Sequence, residues 1–284
     1  MSAGTLPPVL EAGLKVSVEL NGLFMPFARA LKSLERFCRP LLVHNNDSTF
    51  EASVLGSSFL IRYRERNLML FAKHQLGQPP RSPSDAMLAI FGGKSKPSGL
   101  GPSGSGMITF DPDYKVYEDI CVLEFSPTED SGEIDPLFCK LLPSQYVPIA
   151  SLKPESIVSI FAIGYPSSQT AINYEEIDGE LRNLDIACRR SVVYLERTEP
   201  SAWDIEHRLP LQLLARNDNE MPEPDGLSGA PVFVVYQDVA SQCHIGFGGF
   251  VTEASKAGRF MVYSAHQIFP VVERFVATPY KSVA

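Results

Sequence analysis

From about residue 41 onward, the sequence predicts an all-β fold built as a pair of barrels. Short runs rich in β-branched and aromatic residues alternate with turns in this part of the chain, and this pattern is typical of barrels. A length of 284 residues is enough for two compact modules with a sizeable core. The composition, 44% hydrophobic and 20% charged, is that of an ordinary globular protein.

The predicted elements divide the chain into three parts. Residues 1–40 are expected to form an N-terminal arm with an amphipathic helix, residues 41–146 a first β-barrel, and residues 147–284 a second β-barrel with a C-terminal helix. The predicted strands lie at residues 53–63, 68–72, 86–91, 120–125, 157–163, 191–196, 232–236, 245–252 and 260–263.

Two helices are predicted outside the barrels. Apolar residues recur at helical spacing over about residues 26–38, and a proline stands near each end of this run. We expect this helix to pack on the first barrel as a structural cap, with docking of a partner as the alternative. Near the C-terminus, Ser264 and Gln267 have the spacing of a capping box, which predicts a helix that continues to about residue 276.

Residues 92–106 are expected to form a mobile surface loop. Apart from Lys94, Lys96 and Leu100, this tract consists of glycine, proline and serine. Such a composition buries too little apolar area to order the chain. The loop is therefore a candidate for a flap over a substrate or for a site of cleavage.

Charge and hydropathy exclude two classes of partner. The chain carries a formal net charge of −8 and has no long run of Lys and Arg, so nucleic acid is not expected as a partner. No apolar stretch approaches the roughly 18 residues that a membrane-spanning helix needs, so no membrane association is expected. The first residues lack a basic region followed by an apolar core, so no secretory signal is expected either.

The cysteines indicate a reducing compartment. Their number is odd and they are scattered without a Cys-x-x-Cys pair, which argues against both a disulfide framework and a zinc site. We therefore expect a cytoplasmic protein without a bound metal. The five cysteines are Cys38, Cys121, Cys139, Cys188 and Cys243.

The most informative short segment is residues 225–231, with the sequence DGLSGAP. Ser228 stands there among glycines, directly before an apolar run, which is typical of a nucleophile on a tight turn that leads into a buried strand. The glycines allow backbone N–H groups to face a reacting carbonyl. Because Gly-Ser-Gly turns also occur in ordinary loops, this motif alone is a weak signal.

Two upstream segments strengthen the interpretation of Ser228. The runs 56–61 and 67–74 indicate a hairpin whose second strand ends at His74, and Asp119 stands at the start of another apolar strand. Taken singly, His74 is more simply a strand-end residue bonded to a loop, and Asp119 a solvated turn residue. Together, the three residues supply a base, a residue that orients the base, and a nucleophile.

These segments resemble the trypsin-like (chymotrypsin-fold) serine peptidases, of the divergent bacterial type that includes HtrA-like enzymes. The family's Gly-Asp-Ser-Gly-Gly-Pro, Ala-x-His and Asp-Ile-Ala-Val-Leu motifs are matched by residues 226–231 (GLSGAP), 72–74 (AKH) and 119–123 (DICVL). Residues 162–166 (AIGYP) and 249–252 (GFVT) match two further strand segments, and the resemblance runs from about residue 50 to the C-terminus. The order His, Asp, Ser along the chain is that of the family, whereas subtilisins and α/β-hydrolases have other orders.

The resemblance implies two packed six-stranded antiparallel β-barrels and a serine endopeptidase. Ser228 would be the nucleophile, His74 the general base, and Asp119 the residue that orients His74. The backbone N–H groups of Gly226 and Ser228 would form the oxyanion hole. The expected partner is a protein or peptide substrate, with a regulatory protein as a further partner that the resemblance allows, and no metal or organic cofactor is required.

Some positions depart from the family pattern. Leu227 stands where animal trypsins have the aspartate that pairs with a new N-terminal amine, so activation by N-terminal insertion is not expected. Pro222 stands where trypsin has its specificity aspartate, so a preference for basic residues is not encoded there. By the same resemblance, the Thr252 hydroxyl is expected to hydrogen-bond Asp119. The positions expected to bind substrate are Pro222, Thr252, Glu253 and Ala254.

Three functions from different classes follow from these residues. The first is an active endopeptidase, which the complete triad favours. The second is a catalytically silent pseudo-protease that binds peptides by strand addition along residues 249–252. The third is a hydrolase of esters or other acyl groups that uses the same triad.

Overall fold

The computed structural model describes residues 17–20, 23–45, 52–77, 81–90, 98–107, 119–129, 131–177, 180–201, 208–215 and 223–278. Within these ranges the chain is mostly β, with two α-helices and several short 3-10 turns. It begins with a hairpin of strands β1 (Ser17–Leu20) and β2 (Leu23–Pro26), followed by helix α1 (Phe27–Glu35). Helix α1 confirms the N-terminal helix predicted at about residues 26–38, with narrower bounds.

The first sheet contains the next eight strands. Its strand order is β7-β6-β3-β4-β5-β9-β8, and β10 runs parallel to β4. Among the described residues no pairing closes this sheet, which forms a half-barrel in the position of the predicted first barrel. The strands are β3 (Cys38–His44), β4 (Ala52–Tyr63), β5 (Arg66–Ala72), β6 (Ala86–Ile90), β7 (Ser98–Leu100), β8 (Gly104–Met107), β9 (Ile120–Phe125) and β10 (Cys139–Lys140).

The second sheet is a closed six-stranded barrel. Its order is β16-β11-β14-β15-β18-β17, and pairing of β16 with β17 closes it. Strand β1 adds to β17 in parallel, so the N-terminal hairpin extends this sheet. Within the described ranges, β12 and β13 pair only with each other. These strands are β11 (Ile157–Gly164), β12 (Thr170–Ile177), β13 (Glu180–Cys188), β14 (Ser191–Arg197), β15 (Leu209–Leu213), β16 (Pro231–Gln237), β17 (Cys243–Ala254) and β18 (Arg259–Ser264).

The nine predicted strands are all present, and their ends agree to within two residues. The prediction of a mobile loop over residues 92–106 is wrong in part, because β7 and the first three residues of β8 lie within this tract. Backbone pairing with β6 and β9 orders these strands although most of their residues are small, and the Leu100 side chain is buried. Residues 91–97 lie outside the described part of the chain.

Apolar side chains form one cluster in each sheet and a third between the two sheets. In the third cluster, the Phe59 ring of β4 lies 5.5 Å from that of Phe233 of β16, measured between centroids. Helix α1 packs on this cluster, with the Phe27 ring 5.7 Å from that of Phe161 in the second barrel. The expectation that this helix caps the first barrel is therefore corrected, because its apolar face contacts residues from both sheets.

The last described element is helix α2 (Ala265–Ala277), which the capping box predicts. The Ser264 N–H donates to Gln267 Oε1 at 3.0 Å. Arg66 of the first sheet donates to the carbonyls of Phe275 and Val276 at the other end of the helix. Helix α2 thereby joins the two sheets. Neither helix in the described residues is long and apolar enough to cross a membrane.

Candidate active site

Strand pairing brings His74 and Asp119 together. Strand β5 ends at Ala72, and the chain continues into a 3-10 turn, Lys73–Leu76, that carries His74. Asp119 comes directly before β9, and Ala72 and Ile120 are cross-strand partners. The end of β5 and the start of β9 are therefore adjacent, as the antiparallel ladder requires.

Asp119 holds His74 through both its side chain and its backbone. The His74 Nδ1 lies 2.9 Å from Asp119 Oδ1 and 2.8 Å from Oδ2. The His74 backbone N–H also donates to Oδ1 at 2.9 Å, and the Lys73 N–H donates to the Asp119 carbonyl at 2.9 Å. A carboxylate on Nδ1 favours the tautomer in which this nitrogen carries the proton and Nε2 is free to accept one.

Ser228 comes from the second barrel and meets His74 across the junction of the two sheets. Its Oγ lies 3.0 Å from His74 Nε2 and 2.9 Å from the Thr252 carbonyl oxygen. The hydroxyl has one proton, which it can direct to either acceptor. Nucleophile, base and orienting carboxylate thus form the continuous chain of contacts that acyl transfer by a serine requires.

Glycines shape the turn that carries Ser228. Gly226 has a φ of +88° and Gly229 a φ of +78°, values that side-chain-bearing residues rarely adopt. A Cβ on Gly229 would also collide with the carbonyl group of Ser57. The glycines flanking Ser228 are therefore required by the backbone itself.

Two fixed peptide groups orient the N–H groups beside Ser228. The Ser167 N–H donates to the Asp225 carbonyl at 2.8 Å, and the Ala230 N–H donates to the Leu227 carbonyl at 3.0 Å. Because the C=O and N–H of a trans peptide point in opposite directions, the N–H groups of Gly226 and Ser228 point away from these donors. Neither N–H donates to any group in the described part of the chain.

Leu227, which stands where animal trypsins have an aspartate, packs into the interior. Its side chain is fully buried in the cluster of the second barrel. Its N–H donates to the Pro224 carbonyl at 3.1 Å. Apolar packing and hydrogen bonds thus hold the turn around Ser228, and no ion pair is found in it among the residues that the structure describes.

The four predicted substrate-binding positions have different outcomes. The Thr252 hydroxyl donates to the Met261 carbonyl at 3.1 Å and not to Asp119, so that expectation is wrong. The reason is an extra residue in β17 at this point, which shifts the register with β18 between Val251 and Glu253. Glu253 is exposed and Ala254 half-buried, whereas Pro222 lies outside the described residues.

Charges around His74 raise its pKa. Partial burial alone would lower the pKa of the imidazole, but the hydrogen bond to Asp119, the charge of Asp119 and the charge of Glu253 outweigh it. Arg208 opposes this rise. The Arg208 guanidinium carbon lies 3.3 Å from the centroid of the Tyr263 ring, and burial lowers the pKa of Arg208 and raises that of Tyr263.

Sequence reasoning missed the polar residues that support the site. Gln75 and Arg208 were not singled out, and Ser57 entered only as a member of the run 56–61, without a role of its own. That run and the position of Gln75 next to His74 were the available signals. The cysteines are all free. No group of three or more His, Cys, Asp or Glu side chains within the described ranges is arranged to hold a metal ion.

The fold is shared with a solved structure of human heparin-binding protein. The two chains superpose with a TM-score of 0.52 at 12% sequence identity, over 89% of this chain and 96% of the other. The chain therefore has the trypsin-like two-barrel fold. Identity this low shows the fold alone, and the neighbour's name refers to binding rather than hydrolysis. No protein-family model and no curated protein matches the chain.

Proposed function

We propose that this chain is a serine endopeptidase of the divergent, HtrA-like type that acts in the cytoplasm on protein or peptide substrates. One observation carries the proposal: His74 contacts the Ser228 hydroxyl through Nε2, at 3.0 Å, and the Asp119 carboxylate through Nδ1, at 2.8 Å. This is the geometry that a nucleophilic serine, its base and the orienter of that base need.

In the proposed reaction, Ser228 Oγ attacks the scissile carbonyl while His74 Nε2 takes its proton. Asp119 keeps the second proton of the imidazolium on Nδ1 and stabilises the positive charge. The carbonyl oxygen becomes an oxyanion, which the N–H groups of Gly226 and Ser228 are free to bind. Each such donor typically lowers the barrier by about 3 kcal/mol.

Collapse of the tetrahedral intermediate breaks the C–N bond. His74 gives its proton to the leaving amine, and the acyl group stays on Ser228 Oγ as an ester. Water then attacks the ester carbon while His74 takes one of its protons. The bond from the acyl carbon to Ser228 Oγ breaks, His74 returns the proton to Oγ, and the carboxylic acid leaves. Each proton that leaves a nucleophile is thereby returned to a leaving group.

The edge of β17 supports a peptide substrate. Strand β16 pairs with β17 only as far as Phe250, so residues 252–254 have a strand neighbour on the β18 side and none on the other among the described residues. An extended peptide can pair with such an edge. The same edge suits the second candidate, a silent module that binds peptides by strand addition.

Active-site titration tests the proposal. The intact protein is treated with a serine-directed fluorophosphonate, and the modified residue is identified by mass spectrometry, with Ser228→Ala as control. We expect stoichiometric labelling of Ser228. Absence of labelling would favour the silent module, whereas labelling without cleavage of any member of a peptide library would favour an ester hydrolase.

A further inference from the structure

Ser57 is a polar residue buried completely in the long strand β4, at the point where the two sheets meet. Its N–H donates to the Ser228 carbonyl at 3.0 Å. Its hydroxyl donates to the Gly226 carbonyl at 2.8 Å and accepts from the Tyr165 N–H at 2.9 Å. Ser57 therefore binds the turn of the nucleophile at two carbonyls, one on each side of Leu227.

Gln75 takes up the remaining polar group of Ser57. Gln75 follows His74 in the sequence, and its side chain is buried. The Gln75 Nε2 donates to the Ser57 carbonyl at 3.1 Å, and its Oε1 accepts from the Ala72 N–H at 2.8 Å. The cross-strand neighbour of Ser57 in β3 is Pro40, which has no N–H to donate.

These contacts form one connected path between the two halves of the site. The path runs from the turn that carries His74, through the Gln75 amide, to Ser57 and on to the turn that carries Ser228. Buried polar groups are costly unless every one is paired, and the N–H, C=O and hydroxyl of Ser57 all have partners. A Cβ on Gly229 would lie 2.6 Å from Gln75 Oε1, so the three elements are in close contact.

We propose that Ser57 and Gln75 are positioning residues that hold the oxyanion-binding turn open and in register with His74. This inference rests on the proposed serine hydrolase function. We call the hydrogen-bonded path from Gln75 through Ser57 to the turn of Ser228 the bridge. The bridge orders this turn in place of a carboxylate at position 227, where this chain has Leu227. The N–H groups of Gly226 and Ser228 would therefore already be oriented to bind an oxyanion, without any cleavage of the chain.

The test compares Gln75→Ala with Gln145→Ala. Gln145 occupies the matching position of another 3-10 turn, where its Oε1 accepts from the Leu142 N–H at 2.9 Å, and it has no contact with Ser57 or Ser228. For Gln75→Ala we expect kcat to fall about 10- to 100-fold because the reacting groups lose alignment. KM should stay within about threefold, since substrate binding is not the affected step. Gln145→Ala should keep wild-type kcat.

Gln75→Glu tests the proposal through the pH dependence of kcat, which would not change if Gln75 only stabilised the fold. The substituted side chain keeps an oxygen for the Ala72 N–H, but it donates to the Ser57 carbonyl only while its carboxyl group is protonated. Burial favours that neutral form. The kcat of this variant, divided by that of the wild type at the same pH, should therefore fall as the pH rises. Ser57→Ala should lower kcat as Gln75→Ala does.

Thermal unfolding of each variant, with the rate of fluorophosphonate labelling, separates the outcomes. The positioning role of the bridge would be overturned if Gln75→Ala and Gln145→Ala had equal kcat. It would also be overturned if the ratio of the Gln75→Glu kcat to the wild-type kcat did not depend on pH. Neither result would contradict the proposed hydrolase function. If Gln75→Ala does not fold, the Gln75→Glu ratio decides alone. A wild-type protein that is not labelled at Ser228 would overturn the proposed function and, with it, this role for the bridge.

Discussion

At the scale of single residues, the protonation of His74 would decide at which pH the proposed hydrolase is active. The imidazole must be neutral to accept the Ser228 proton. Its pKa is raised because the Asp119 bond and the charges of Asp119 and Glu253 outweigh the opposing effects of burial and of Arg208. His74 therefore stays protonated to a higher pH than an ordinary histidine, and activity should appear only above that raised pKa.

The first prediction is that Glu253→Gln moves the acid limb of the kcat/KM profile to lower pH. Removing the negative charge destabilises the imidazolium, so the pKa of His74 falls and the base is available at lower pH. Glu223→Gln is the matched control, because Glu223 pairs with Lys256 at 3.0 Å and is not among the groups that shift His74. An unchanged acid limb in Glu253→Gln would show that Glu253 does not act on His74.

The second prediction concerns the nucleophile and the base as a unit. Ser228→Ala and His74→Ala should each abolish peptide turnover, while their circular dichroism spectra and thermal unfolding stay near those of the wild type. The double variant should be no slower than either single variant, because neither group works without the other. Rates of all three are compared under identical conditions. Multiplying losses in the double variant would mean that the residues act independently.

The third prediction concerns Asp119→Asn, which should lower kcat by about 10⁴-fold with little loss of stability. The amide oxygen of the new side chain can keep the hydrogen bond from the His74 backbone N–H, which leaves its NH2 group facing Nδ1. That arrangement favours a proton on Nε2, so the ring cannot accept the Ser228 proton. Single-turnover kinetics measure the effect. A rate near that of the wild type would mean that another carboxylate orients His74.

At the scale of elements, the sequence predicted the turns that carry the triad better than the contacts that support them. His74, Asp119 and Ser228 each stand next to a strongly apolar strand, so a local pattern locates them. Ser57 looks like one more small residue in a strand, and its partners Gly226 and Ser228 lie about 170 residues further along the chain. No local pattern encodes contacts that only the packing of two sheets creates.

Missed strands have a similar explanation. The hairpin of β12 and β13 mixes apolar residues with polar and charged ones, and in the described residues it is not part of either large sheet. Its sequence therefore offers no continuous apolar run. Strand β15 contains Pro210, which argues against a strand in a sequence pattern. The wrong prediction of a bond from the Thr252 hydroxyl to Asp119 has a different cause. A shift of register in β17 turns the side chain in another direction, and no local pattern in the sequence signals it.

The fourth prediction tests the packing of helix α1. Leu34 is almost fully buried on the cluster between the sheets, whereas Lys32 lies on the exposed face of the same helix. Leu34→Ala should lower the free energy of unfolding by about 2–5 kcal/mol, through lost burial and the cavity left behind. Lys32→Ala should change it by less than about 0.5 kcal/mol. Urea denaturation measures both, and equal stabilities would mean that the helix is not docked.

At the scale of the whole molecule, the site depends on how the two sheets meet. The first sheet supplies His74 and Asp119, and the second supplies Ser228. Aromatic contacts such as that of Phe59 with Phe233 fix the sheets relative to each other. Strand β3 also takes part in this junction, because the Tyr165 hydroxyl of the second barrel donates to the Cys38 carbonyl at 2.9 Å.

The N-terminal segment is bound on the second barrel by three kinds of contact. Strand β1 pairs in parallel with β17, and Val18 is buried in the cluster between the sheets. Arg190 donates to the Glu35 carbonyl at 2.6 Å, at the end of α1. None of these contacts reaches His74 or Ser228, and the turn beside Ser228 is held by Ser57 and by the buried Leu227. The segment should therefore stabilise the fold without inhibiting the site.

The fifth prediction is that removal of residues 1–36, which leaves β3 in place, lowers stability and does not raise activity per folded molecule. The loss should amount to several kcal/mol, because each large apolar side chain that becomes exposed costs about 1.5–3 kcal/mol. Both proteins are titrated with the fluorophosphonate first, so that kcat refers to competent sites only. Equal kcat with a lower midpoint of unfolding supports a structural arm. A large gain in kcat on truncation would instead identify the segment as an inhibitory pro-region, since only release of a blocked site could raise the turnover of each competent molecule.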